Sequence, residues 1–329
     1  MKTILLFACC VFACGCASPQ PIRFGMFQVP EKNLRAAQGL GMDFVVGSSQ
    51  RGYLDEAARL KLNVITADSK VKHRAVLGSI LTDEPDLHGI PPERISREYK
   101  AAKSRSRTPV FLNLSSAYAA EAYRENCDVL MFDWFPIGWM PIESFYSQLR
   151  IARLAAGKKP FFVVIQAFDW SRYPDLMPAG NYRKPTPAEV KAMTIWAAMN
   201  GANGIAYYPF DDRHFSLEEA PEISTAIKES VAVVRDYDWL FESPRVWIDY
   251  PFQFQSSADK TNAIAETSIA IRAARSREYP RTTFIVAANT TARTIVVKPL
   301  LQLDEATAEI VFAPLEVKFL TAHGAGMAN

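Results

Sequence analysis

Two adjacent acidic residues, Asp83 and Glu84, follow a short apolar run and precede Pro85. A neighbouring negative charge and partial burial both raise the pKa of a carboxyl group, so one member of such a pair can stay protonated near neutral pH. A protonated carboxyl group can give its proton to a leaving oxygen, which is general acid catalysis. The pair therefore predicts acid/base chemistry centred on Asp83 and Glu84. The alternative interpretation is that this Asp-Glu-Pro segment forms a turn or a helix cap.

Other polar and aromatic residues also stand where short apolar runs end. If these runs are the parallel strands of one barrel, the residues at their carboxyl ends meet around a single mouth. Asp133 is the further catalytic candidate. The predicted substrate-binding residues are Asp68, Asn113, Trp134, Gln166, Asp169, Tyr207 and Tyr208, and Trp139 and Trp170 are aromatic alternatives.

The elements that must position these residues alternate between strands and helices. Short apolar runs at 22–27, 44–47, 63–66, 76–81, 109–113, 128–132, 161–166 and 204–208 are predicted strands, and amphipathic segments separate most of them. About eight such units predict an α/β fold of the TIM-barrel type, a (β/α)8 barrel over residues 20–243. An open doubly wound sheet is the rival, but no glycine-rich phosphate loop follows the first strand. Short strands and turns after residue 243 predict a small C-terminal antiparallel β-sandwich over 244–325.

A family resemblance becomes visible at these motifs. The segment Leu81-Thr82-Asp83-Glu84-Pro85 resembles clan A glycoside hydrolases, which carry a general acid/base Glu at the end of the fourth strand. Segments 131–136, 164–168 and 204–208 resemble uncharacterised bacterial lipoprotein barrels of glycoside-hydrolase type. The resemblance implies hydrolysis of O-glycosidic bonds in an extracytoplasmic polysaccharide or glycoconjugate, with Glu84 as general acid/base and a carbohydrate as the bound partner.

Two departures from clan A leave the second catalytic group open. Asp83 stands where the clan has Asn, and Gln166 stands near the place of the nucleophilic Glu of strand seven. Asp133 or Asp169 could supply the second carboxylate. Alternatively, Asp83 and Glu84 could act as the Asp-Glu pair of substrate-assisted hexosaminidases, in which the substrate's acetamido group is the nucleophile. A non-catalytic, surface-anchored carbohydrate-binding barrel that has lost its nucleophile is the alternative function.

The N-terminus resembles a bacterial lipoprotein signal. Lys2 precedes an apolar run at 4–12 that is too short to remain across a bilayer, and small residues lead up to Cys16. We therefore predict a signal peptide over 1–16, lipidation of Cys16, and an exported protein that is anchored to a membrane. Cys9 and Cys14 are alternative lipidation sites, and a plain secretory signal is the alternative interpretation.

Composition argues against several other function classes. The formal net charge of the 329 residues is +2 with no basic stripe, so no nucleic-acid partner is expected. The four His residues lack metal-ligand spacing, so neither a metal nor another cofactor is expected. No G-x-S-x-G elbow is present, which disfavours a serine hydrolase. Cys127 precedes an apolar run and is predicted to be a small core residue.

Overall fold

The computed structural model describes residues 21–176, 182–243, 245–246, 248, 251–254, 268–276, 278–304 and 309–323. The predicted signal peptide and Cys16 lie outside these described residues. No helix in the described part of the chain is long and apolar enough to cross a membrane.

Eight parallel strands form a closed barrel, in which β1 pairs with both β2 and β8. The (β/α)8 barrel predicted from the alternating pattern is therefore confirmed. The strands are β1 (Arg23–Phe27), β2 (Phe44–Gly47), β3 (Asn63–Thr66), β4 (Val76–Ile80), β5 (Val110–Leu114), β6 (Val129–Asp133), β7 (Phe161–Gln166) and β8 (Gly204–Tyr208).

Helices cover most of the outer surface of the barrel. They are α1 (Leu34–Gly39), α2 (Arg51–Arg59), α3 (Pro92–Arg105), α4 (Ala120–Tyr123), α5 (Glu143–Ala156), α6 (Pro187–Met199), α7 (Pro221–Asp236) and α8 (Asp238–Glu242). A capping box begins α6, because the side chains of Thr186 and Glu189 each accept a hydrogen bond from the other residue's backbone N–H. The connection from β3 to β4 contains no helix, so one of the expected βα units is incomplete.

Large aromatic side chains fill the barrel interior, and glycines on neighbouring strands make room for them. A Cβ atom at Gly25 would lie 2.2 Å from the ring of Phe44, and one at Gly204 would lie 2.4 Å from the ring of Phe162. Phe44 and Phe162 contact each other at 5.6 Å between ring centroids. The lower barrel is therefore a packed apolar core, which leaves the carboxyl-end mouth as the place for a site.

Two three-stranded antiparallel sheets follow the barrel, as the predicted β-sandwich requires. One sheet has the order β10-β11-β14 and the other β13-β12-β9, and apolar side chains of both sheets share a single core. The predicted domain boundary at 243/244 falls between α8 and β9. The strands are β9 (Phe252–Phe254), β10 (Ile269–Arg275), β11 (Thr282–Asn289), β12 (Ile295–Pro299), β13 (Ile310–Phe312) and β14 (Val317–His323).

Candidate active site

Glu84 has an unusual backbone conformation at the barrel mouth. Its φ angle is 41°, in the left-handed region that residues other than glycine rarely adopt. Its N–H donates to the carbonyl of Asn113 at 3.2 Å, and its own carbonyl accepts from Leu87 and His88 at 3.1 and 3.2 Å. Such strain persists only where the surroundings hold it, and it is concentrated at functional sites.

This turn lets Asp83 and Glu84 contribute to the same cavity. Consecutive strand residues point to opposite faces of a sheet, which would separate the two carboxyl groups. However, β4 ends at Ile80, three residues before Asp83, so strand geometry does not apply to the pair. Both residues line the cavity at the barrel mouth, together with Asp133 from the end of β6.

Asn113 joins two of the three acidic residues. Its side-chain Nδ2 donates to Oδ1 of Asp83 at 3.0 Å and to Oδ2 of Asp133 at 2.8 Å. Glu84 and Asp133 are close enough for their charges to interact, and Oδ1 of Asp133 is buried without a hydrogen-bond partner in the described structure. Two acidic groups that are buried close together favour a protonated form of at least one of them. Asp83, Glu84 and Asp133 therefore form one electrostatically coupled group around Asn113.

Burial and mutual repulsion raise the pKa values of these groups. Burial, and next the charge of Asp83, raise the pKa of Glu84 from 4.5 to about 7. Burial and then the charge of Glu84 raise the pKa of Asp133 well above 3.8. Burial also raises the pKa of Asp83, although the Asn113 hydrogen bond opposes it. Asp83 is exposed at the rim, so solvent screening weakens the effect there.

Aromatic side chains face these carboxyl groups across the cavity. This aromatic cavity has a volume of about 390 Å³. Phe135 stacks on Tyr208 with ring centroids 5.8 Å apart, and Phe168 contacts both rings edge-on. A sugar ring between these walls could donate hydrogen bonds to the carboxyl groups and stack on an aromatic face. The lining includes Glu84, Asp133, Phe135, Phe168, Trp170 and Tyr208.

Gln166 holds this aromatic wall in place. Its side chain is fully buried; Oε1 accepts from the N–H of Ile137 at 2.9 Å, and Nε2 donates to the carbonyls of Ile137 and Phe168. These bonds attach the loop between β6 and α5 to the end of β7. Gln166 does not line the cavity, because backbone groups occupy both ends of its amide.

Asp212 orients two tyrosines of the mouth. Its Oδ2 accepts from the hydroxyl of Tyr173 at 2.9 Å and from that of Tyr208 at 3.3 Å. Its Oδ1 accepts from the backbone N–H groups of His214 and Phe215. Asp212 therefore fixes both rings while its own carboxylate is already satisfied.

A second and larger cavity adjoins the aromatic cavity. We call it the flank groove; it has a volume of about 980 Å³ and runs from the mouth towards α3. Phe27, Asp83 and Tyr208 line both cavities, so the two adjoin at Asp83. Its lining includes Ser79, Thr82, Asp83, Glu98, Ala101 and Arg105.

The structure brings together part of the predicted site. Asp83, Glu84, Asn113, Asp133, Trp134 and Tyr208 line the aromatic cavity, and so do Trp139 and Trp170.

The other predicted ligands lie elsewhere. Tyr207 points outwards, where it is fully buried and its hydroxyl lies 3.0 Å from that of Thr194 on α6. Asp68 is exposed and accepts from the N–H of Lys70, so it closes a turn. Asp169 accepts from the N–H of Ser171 and thereby caps a short 3-10 helix. Neither Asp68 nor Asp169 contributes to the cavity lining in the described structure.

Sequence reasoning missed several apolar lining residues, notably Phe27, Phe135, Phe168 and Tyr173. Strand parity could have identified Phe27, since it ends β1 on the inward face together with Gly25. The other three lie on loops, where no periodicity marks the direction of a side chain. The predicted core position of Cys127 agrees with its complete burial. In the described residues, no three His, Cys, Asp or Glu side chains are arranged so that they could hold a metal ion.

Comparisons with known proteins identify the fold without a family assignment. No protein-family model matches the sequence, and no curated protein matches it significantly. A β-galactosidase from Bacillus circulans sp. alkalophilus superposes with a TM-score of 0.62 at 8% identity, covering 92% of this chain and 99% of that one. A β-galactosidase from Rahnella sp. R3 gives 0.60 at 8% identity, with 94% and 99% covered. An α-amylase from Geobacillus thermoleovorans gives 0.52 at 10% identity, with 93% and 99% covered. The chain therefore shares the (β/α)8 barrel fold of these proteins.

Proposed function

We propose that the protein is a glycoside hydrolase in which Glu84 is the general acid. The observation that carries this proposal is the position of Glu84, whose pKa is raised to about 7, beside buried Asp133 at the wall of an aromatic-lined cavity. A general acid needs a pKa near the working pH so that it is protonated and still able to give up its proton. Glycosidases among the proteins of similar fold support the same reaction class.

The reaction follows from the positions of the three carboxyl groups. Glu84 transfers its proton to the glycosidic oxygen, the bond from that oxygen to the anomeric carbon breaks, and its electron pair stays on the oxygen. Positive charge then develops on the sugar ring, where a carboxylate stabilises it. Asp83 suits this role because it is exposed to the cavity and remains more easily ionised than buried Asp133.

Asp133 is poorly suited to attack the sugar. It is 4% exposed, its pKa is raised well above the usual value, and its Oδ2 accepts a hydrogen bond from Asn113. A protonated carboxyl group is a weak nucleophile, so we assign Asp133 to a supporting role beside Glu84. Asp83 is then the second carboxylate, either activating water or orienting an acetamido group of the substrate. Both routes avoid the covalent intermediate that a β7 carboxylate would form.

One observation favours a second candidate function, a carbohydrate-binding barrel without catalysis. Gln166 stands at the end of β7, and its amide is committed to Ile137 and Phe168. A protein that only binds sugar would still need the aromatic wall that Gln166 supports. It would not need the raised pKa of Glu84.

We also propose that the protein is exported and anchored through a lipid on Cys16. Lys2, the apolar run at 4–12 and the small residue Gly15 before Cys16 support this proposal. Mass spectrometry of the membrane-extracted protein tests it. A diacylglyceryl-modified N-terminal Cys16 is expected, whereas an unmodified N-terminus further along the chain contradicts it.

A substrate screen tests the proposed hydrolase function. Purified protein is incubated with aryl glycosides of varied sugar and anomeric configuration and with polysaccharides, and Glu84→Gln protein is run in parallel. We expect release of product from at least one class and its loss in the variant. Sugar binding without turnover in either protein would instead support the carbohydrate-binding barrel.

A further inference from the structure

The flank groove lies where the barrel lacks a helix. The chain passes from β3 to β4 through residues 67–75 without forming one. Along this flank the groove extends from the mouth to α3, where Glu98, Ala101 and Arg105 line it. A missing helix therefore leaves a channel beside the proposed active site instead of a closed barrel wall.

The groove and the aromatic cavity adjoin each other at Asp83, beside the proposed acid Glu84. Phe27, Asp83 and Tyr208 line both of them. Their volumes of about 980 Å³ and about 390 Å³ span the range of small-molecule sites, about 300–1,000 Å³. A cleft with room on both sides of the acid can accept a chain whose cleaved bond is internal.

The chemistry of the groove fits a neutral polyhydroxyl ligand. Carboxyl groups outnumber cations in the lining of the groove. The acidic residues include Glu31, Glu98 and Asp211, and among the described residues Arg105 is the one cation. A polyanionic chain would be repelled there. Ser79 also lines the groove, is 2% exposed, and has a hydroxyl without a hydrogen-bond partner in the described structure. Buried polar atoms normally have a partner, and a bound ligand or water would supply one.

We propose that the flank groove binds the continuing units of a neutral oligosaccharide or polysaccharide, so that the enzyme cleaves within a chain. This inference rests on the proposed glycoside hydrolase function for the position of the cleaved bond. Binding in the groove does not depend on catalysis and is measured separately.

The test uses Glu84→Gln protein, in which the ligand survives during the measurement. Calorimetric titration is carried out with ladders of two to seven units from β-1,4-galactan, β-1,4-glucan and α-1,4-glucan, and with oligogalacturonides as the polyanionic ladder. For one neutral ladder we expect at least a tenfold gain in affinity from two to six units, which corresponds to about 1.4 kcal/mol. The oligogalacturonides should show no such gain.

A pair of matched variants locates the gain on the flank groove. Ala101→Trp, added to Glu84→Gln, fills the groove and should remove most of the gain with chain length. Lys100→Trp introduces the same side chain at the exposed neighbouring position, outside the groove lining, and should preserve the gain. Thermal unfolding of both variants checks that they are folded.

Several results would overturn the inference. They are equal affinity for two and six units, no binding of any ladder, or a gain with chain length that survives Ala101→Trp in a folded protein. An affinity that rises with chain length for the oligogalacturonides would also overturn it. Hydrolysis of aryl glycosides without any chain-length effect refutes the groove and leaves the proposed function standing. A chain-length gain that depends on Ala101, in a protein that hydrolyses nothing, supports the groove and refutes the proposed function.

Discussion

Replacing Asp83 by Asn should shift the basic limb of the pH–rate profile towards lower pH. The pKa of Glu84 is raised from 4.5 to about 7 by burial and, next in size, by the charge of Asp83. Burial persists in the variant and the charge does not, so we expect the midpoint of the basic limb to move down by about one pH unit, which corresponds to about 1.4 kcal/mol. At pH 7 the protonated fraction of Glu84 should then decrease roughly fivefold.

The assay is kcat/KM between pH 4 and 9 on the best aryl glycoside from the screen, because this ratio reports the pKa values of the free enzyme. The height of the profile should also fall, since Asp83 is the proposed second carboxylate, but the position of the limb is the diagnostic quantity. Asp236→Asn removes an exposed carboxylate at the end of α7 and should leave the limb unchanged. A limb that stays in place or moves to higher pH in Asp83→Asn refutes the assigned electrostatics.

Three further predictions concern the supports of the site. Asp133→Asn should make the free energy of unfolding fall less as pH rises. The folded-state pKa values of Glu84 and Asp133 lie above their unfolded values of 4.5 and 3.8, so the stability that their protonated forms contribute is lost from about pH 4 upwards. Chemical denaturation at pH 5 and 8 measures this, and an equal pH dependence in the variant and the wild type would contradict it. Gln166→Ala should lower the free energy of unfolding by about 2–4 kcal/mol, since it leaves the backbone groups of Ile137 and Phe168 without partners; a variant with full stability but weaker sugar binding would instead make Gln166 a ligand. Trp139→Ala should weaken sugar binding about tenfold with little change in stability, because this rim residue is 44% exposed; Tyr279→Ala in the C-terminal domain is the control, and equal affinities for the two variants would remove Trp139 from the site.

The barrel could be predicted because both faces of its strands are buried, which produces continuous apolar runs such as residues 161–165. Strand parity holds information about the site as well. Ala206 faces the barrel interior, so Tyr208 must face inwards and Tyr207 outwards, as the structure shows. Predicting both tyrosines as ligands overlooked this alternation.

Loop conformations could not be predicted in the same way. The left-handed backbone of Glu84 could not be predicted from the sequence, because positive φ values are typical of glycine and rare for other residues such as Glu84. The role of Gln166 depends on the loop of Ile137 folding back onto the end of β7, which is a tertiary contact between distant segments. Gln at position 166 indicated from the sequence that the β7 nucleophile is absent. The sequence did not indicate which groups this side chain bonds.

The central claim is that Glu84 gives its proton to the leaving oxygen, and the dependence of rate on the leaving group tests it most directly. kcat/KM of the wild type and of Glu84→Gln is measured over aryl glycosides of one sugar, with phenol pKa values from about 4 to about 10. Gln keeps the size of the side chain and has no acidic proton. We expect a loss of about 10²–10⁴ for the poorest leaving groups and a small loss for the most activated ones, with a steeper dependence on phenol pKa in the variant. An equal loss across the whole series, or wild-type rates on the poorest leaving group, would contradict the assignment of Glu84.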